Sequence, residues 1–154
     1  MPLPTALTSL SPREAIADAI YRCVRGIDSN DRTLFESACL KTESMTIAVG
    51  PTVVQGWVAI SEFFERVFHI VTTHVISNIR VEVPDGVDTA SLTAHAISYH
   101  MREEDALKVE DTSYTASSLY DIELVRDESD GLWKIKKWGF QILWTTGDRA
   151  VLHG

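Results

Sequence analysis

Residues 57–83 read WVAISEFFERVFHIVTTHVISNIRVEV, and the fold turns on the change of rhythm inside them. Ile60, Phe63, Phe64, Val67, Phe68 and Val71 recur three and four apart, which predicts a helix over roughly 57–71. From His74 the period is two. Val75, Ile79, Val81 and Val83 then share one face of a strand, and His74, Ile76, Asn78 and Arg80 the other.

Working towards the N-terminus, Met45-Thr46-Ile47-Ala48-Val49 reads as a strand stopped by Gly50-Pro51. Asp31 to Glu36 reads as a short helix capped by Asn30 or Asp31. Ser11-Pro12-Arg13-Glu14 has the form of a capping box, and Ala15, Ile16, Ala19, Ile20, Cys23, Val24 and Ile27 behind it form one apolar stripe. Working towards the C-terminus, Pro84-Asp85-Gly86 is a turn. Strands are predicted over 89–102, 114–126 and 132–145, the last two joined by Ser129-Asp130-Gly131. The acidic stretch 103–111 is a solvated connection. Helices first and long strands afterwards predict an α+β fold. Its expected form is a cone-shaped barrel: a strongly curved, mostly antiparallel sheet with three N-terminal helices enclosing an apolar pocket. Residues 1–10 are expected to be a flexible arm, 11–148 a single domain and 149–154 a tail.

The chain of 154 residues is 45% hydrophobic and 23% charged, which suits one globular domain and argues against disorder. Its net charge of −8, without a dense basic block, argues against nucleic acid and anionic membrane as partners. No apolar run reaches membrane-spanning length and no signal peptide is legible, so a cytoplasmic location is expected. Cys23 and Cys39 form neither a metal motif nor a disulfide framework, and no metal site is expected. Nucleotide-binding, zinc-protease and serine-hydrolase motifs are also missing.

Asp28 continues the buried stripe of the first helix, since it follows Ile20 by eight residues and Val24 by four. Such a carboxylate either faces the interior, where it needs a partner, or bends back to water. His74 sits where the apolar helix passes into the first long strand, a place that suits a pocket rim and equally a structural histidine. His95 shares a strand face with Thr93, Ile97, Tyr99 and Met101, opposite the small residues Ala90, Leu92, Ala94, Ala96 and Ser98, and either face could line a pocket. Tyr114, Ala116, Ser118, Tyr120 and Ile122 form another one-sided set. Trp138, Phe140, Ile142 and Trp144 form a third.

Three segments carry a family likeness: Gly26-Ile27-Asp28, Thr73-His74-Val75-Ile76-Ser77-Asn78 and Asp130-Gly131-Leu132-Trp133-Lys134-Ile135. In order, over residues 11–148, the chain resembles SnoaL-like proteins of the nuclear transport factor 2-like superfamily. Within it, the likeness is to scytalone dehydratase, hexachlorocyclohexane dehydrochlorinase and fungal isomerases and cyclases of secondary metabolism. The resemblance implies that Asp28 orients His74 and that His74 removes a proton from the substrate. The two stand 46 residues apart, close to the family's own spacing. Trp138 stands where the dehydrochlorinase has an arginine for its leaving group, which weakens chloride elimination as an activity. Ile27 and Met45 or Ile47 replace the dehydratase's two water-holding tyrosines, and His95 is matched to its extra histidine.

The resulting expectation is a cofactor-independent lyase or isomerase acting on a small, apolar, cyclic metabolite, with Asp28 and His74 catalytic. Met45, Phe64, Phe68, His95, Ile97, Ala116, Tyr120 and Trp138 are expected to line the pocket. A homodimer through the convex sheet face is expected as well. Two alternatives use the same fold: a non-catalytic ligand-binding or dimerising module, and a polyketide cyclase with Asp121 or Asp111 as its base.

Overall fold

The computed structural model describes residues 2–110 and 112–154. Ser11 opens helix α1 (Pro12–Asp28) with the expected capping box: its hydroxyl accepts the Glu14 N–H, and the Glu14 carboxylate accepts the Ser11 N–H. The stripe from Ile16 to Ile27 is buried. Asp31 caps α2 (Arg32–Ser37), which crosses α1 at Gly26. A Cβ on Gly26 would lie 2.4 Å from the Phe35 nitrogen, so this close approach requires glycine. Buried Arg22 donates to Asp18 and to the carbonyls of Ser37 and Trp133, tying α1 to α2 and to the last strand. The end of α1, where Asp28 sits, is thereby fixed.

Six strands follow: β1 (Thr46–Val49), β2 (Thr52–Gln55), β3 (Val71–Glu82), β4 (Thr89–Met101), β5 (Tyr114–Arg126) and β6 (Trp133–Gly147). They form one sheet in the order β2-β1-β6-β5-β4-β3, antiparallel except where β1 runs parallel to β6. Helix α3 (Trp57–Glu65) connects β2 to β3, and α4 (Ala150–His153) ends the chain. The sheet curls around α1, whose apolar side meets Leu92, Ile122, Leu124 and Ile135 in the core. The expected α+β cone is the fold.

Five details depart from the sequence reading. Residues 52–55, for which the sequence reading assigns no element, form β2 by turning back at Gly50, whose φ of +57° suits glycine. The predicted helix 57–71 ends at Glu65 and passes through a 3₁₀ turn, Val67–His69. Val71, Thr72 and Thr73 leave it to pair with Met101, His100 and Tyr99 of β4. The alternation along β3 breaks at a bulge between Ser77 and Arg80, where Asn78 has φ +54°. Val75 therefore turns outwards while Val81 stays inwards. A second extra residue, Leu143, lies opposite the step from Ser117 to Ser118, so Trp144 leaves the face held by Trp138, Phe140 and Ile142. Finally, residues 150–153 form a helix rather than a loose tail, because Val151 buries itself against Tyr114 and Ala116.

Candidate active site

Asp28 is the last residue of α1, at the negative end of the helix dipole, where a carboxylate is disfavoured unless it is held. It is held three times. Asp28 Oδ1 accepts from the Thr72 hydroxyl at 2.8 Å and from His74 Nδ1 at 2.7 Å, and Oδ2 accepts the His74 backbone N–H at 2.8 Å. All three donors come from the first turn of extended chain in β3, which shows why Thr72 and His74 must share a face. Burial would raise the Asp28 pKa, but the ring, charge and N–H of His74 and the Thr72 hydroxyl outweigh it. The group stays anionic below the usual carboxylate range. With Nδ1–H committed to Asp28, Nε2 of a neutral His74 carries the lone pair.

His74 lines a cavity of about 400 Å³ bounded by α3, α4 and the inner faces of β3 to β6. Four expected pocket residues line it as well: Phe64, Ala116, Tyr120 and Trp138. Trp138 stacks on Phe64 at 5.8 Å and meets the Tyr120 ring edge-on at 5.3 Å. Burial pushes the Tyr120 phenol up, against the Ser98 hydroxyl beside it, so at neutral pH it is a hydrogen-bond donor and not a phenolate. The indole Nε1 of Trp138 has no hydrogen-bond partner among the described residues.

The remaining expectations fall elsewhere. Met45 and Phe68 are buried in the core, Phe68 against Phe35 and beneath Arg32, and neither reaches the cavity. His95 and Ile97 are on the outer face of β4, because the inner positions are the even-numbered Leu92, Ala94, Ala96, Ser98 and His100. His95 instead meets the Asn78 side chain at 3.3 Å. Asp121 is also outside. It lines, with His95 and Arg80, an open concavity of about 620 Å³ that is larger than the inner cavity but contains no part of the dyad. Asp111 lies outside the described residues. The inner cavity is the site because the buried, carboxylate-held imidazole of His74 opens into it, whereas His69, which pairs with Glu65 at 3.3 Å, is exposed and does not line it.

The sequence reading missed His100. It follows Ser98 by two on the inner face of β4, and that parity was the available signal. Its ring lies 6.2 Å from that of His74 and at 81° to it, on the same cavity wall. His100 Nδ1 donates to the Tyr114 carbonyl at 3.1 Å, which leaves Nε2 as an acceptor. Burial holds His100 below the ordinary histidine range, with the Tyr114 carbonyl working the other way, so the ring is neutral at pH 7. Leu152 and His153 of α4 line the cavity as well, with the exposed Phe63 and Arg66.

The fold has known counterparts. The chain is 40% identical over 151 residues to terrestric acid biosynthesis cluster protein E of Penicillium crustosum, covering 97% of this chain and 95% of that one. Among solved structures, a protein of Novosphingobium aromaticivorans provisionally described as a scytalone dehydratase superposes with a TM-score of 0.74 at 17% identity, over 89% of this chain and 87% of the other. Hexachlorocyclohexane dehydrochlorinase LinA-type3 from Novosphingobium barchaimii gives 0.67 at 18% identity, over 90% and 91%. The profile of the SnoaL-like domain matches residues 8–139, from the arm into the first half of β6, and the chain belongs to the SnoaL-like domain family.

Proposed function

We propose that the protein is a cofactor-independent lyase or isomerase of secondary metabolism, acting on a small, largely apolar cyclic metabolite by general-base proton abstraction. The observation that carries this reading is the threefold grip on Asp28, which commits His74 Nδ1–H and leaves Nε2 as a base at the cavity wall. His74 Nε2 takes a proton from a carbon next to a carbonyl or opposite a leaving group, and Asp28 stabilises the imidazolium that forms. The electron pair left on carbon either expels the leaving group or moves to oxygen, and His74 returns its proton to the departing hydroxide or to another carbon. Neutral His100 accepts a hydrogen bond from a substrate hydroxyl, and the hydroxyls of Ser118 and Tyr120 stand ready for a developing oxyanion. The biosynthetic setting of the 40% identical relative supports a metabolite as substrate.

The test is incubation with a panel of cyclic β-hydroxy ketones, with and without a carboxylate, followed by NMR. The unsaturated ketone should accumulate with the wild-type chain and not with His74→Ala. Equal product from both would end the reading.

The same proposal includes a cytoplasmic homodimer. Val71, Val75, Tyr99 and Trp144 stand 44–50% exposed on the outer sheet face, and pairing with a second copy about a two-fold axis covers the patch on both. Light scattering should report about twice 17.2 kDa at micromolar concentration; a mass of 17.2 kDa would refute the pairing.

A further inference from the structure

The cavity mouth carries a charge that the dyad does not use. Arg66 directly follows α3, is exposed, lines the cavity that holds His74 and His100, and has no ion pair among the described residues. Glu65, its neighbour in sequence, is already taken by Arg32 in a two-pronged pair with both contacts at 2.9 Å. Glu62, one turn back on the same rim, makes no ion pair with it. His153 of α4 lines the same cavity, within reach of the Arg66 charge. Burial lowers its pKa first, then the charges of Arg149 and Arg66, so the charges felt there are both positive. With His153 and His100 both held neutral, Arg66 is the cationic side chain of the cavity lining at neutral pH, and Glu62, on the same rim, is its anionic neighbour without pairing with it. Arg66 gives the apolar cavity a local attraction for an anion in a chain of net charge −8, which as a whole repels anions.

We infer that the substrate carries one carboxylate, which docks on Arg66 at the mouth while its apolar ring lies between Phe64, Trp138 and Tyr120 with the reacting carbon towards His74. A guanidinium fork matches a carboxylate in plane, and contact at this remote end fixes which ring carbon meets the base. The inference deepens the proposed function and rests on it only for the reacting end.

Calorimetric titration of naphthalene-2-carboxylate and naphthalene-2-carboxamide at pH 8 tests it without turnover. The wild-type chain should bind the acid about tenfold more tightly than the amide, the range of a charge-assisted hydrogen bond. Arg66→Gln should bring the two within about twofold, Arg66→Lys should keep part of the preference, and Glu62→Gln should enlarge it. His74→Gln should leave the preference intact, so failure of the catalytic reading and failure of the anchor give different results. Equal binding of acid and amide by the wild-type chain, a preference that survives Arg66→Gln, or no binding of the acid up to millimolar concentration would overturn the inference.

Discussion

The inner faces of β4 and β5 are two surfaces laid end to end. At one end Leu92, Ile122 and Leu124 are at most 1% exposed and pack with Ile135 against α1. At the other, Ser98, His100, Ser118 and Tyr120 line a cavity. The strands are continuous through both, so strand geometry does not separate core from site. The difference is the cover. Helix α1 fills the sheet's concavity as far as Asp28 and stops, and the cavity is the space beyond its end. The last helical residue is therefore also the first residue of the site, and its carboxylate holds Thr72 and His74 instead of packing.

That contrast can be broken by exchanging the effects of mutations. At the site end, His74→Ala should lower kcat/KM by a factor on the order of 10²–10⁴, the usual contribution of a positioned general base, while circular dichroism shows a folded chain. At the core end, Ile122→Ala should cost about 2–5 kcal/mol of unfolding free energy in urea titrations, since it empties a fully buried position. Ser98→Ala, one strand away but over the cavity, should cost about 1 kcal/mol or less, the value of a single hydrogen bond. Equal stability losses at Ile122 and Ser98 would mean that the two ends do not differ as described.

A smaller effect sharpens the comparison through pH. His100 is held below its unfolded pKa, so its contribution to stability is complete above about pH 6.5 and is lost as pH falls towards the folded value. Asp28 is also depressed. Its contribution is present above about pH 3.9 and disappears as pH falls through its lower folded value. Urea midpoints measured against pH should therefore decline in two steps on acidification, and His100→Gln should shrink the upper one, to which the less buried His153 also contributes. An unchanged upper step in that variant would assign it elsewhere.

The sequence made the helices legible through short-range periodicity and caps, whereas the pairing of Asp28 with His74 was legible only through the family resemblance, because spacing alone left both residues with structural readings. The Ser11-to-Glu14 box, the stripe ending at Asp28 and the position of His74 after Thr72-Thr73 needed no register. What was not legible depended on it. The bulge at Asn78 and the extra Leu143 reverse the faces of Val75 and Trp144, and no strict period of two predicts either. His95 and His100 are five apart on one strand, so choosing the outward one followed from leaving its two faces undecided. Helix α4 was invisible because four residues carry no period; it exists only through the burial of Val151.

The most direct test of the account is the steady-state kinetics of Asp28→Asn on a substrate of the wild-type chain. The asparagine keeps the shape of the site and can still accept from the His74 backbone, but it no longer fixes the Nδ1–H tautomer or stabilises the imidazolium. A fall in kcat on the order of 10²–10⁴ with KM nearly unchanged is the predicted result. A kcat equal to that of the wild-type chain would contradict the claim that Asp28 makes His74 the base.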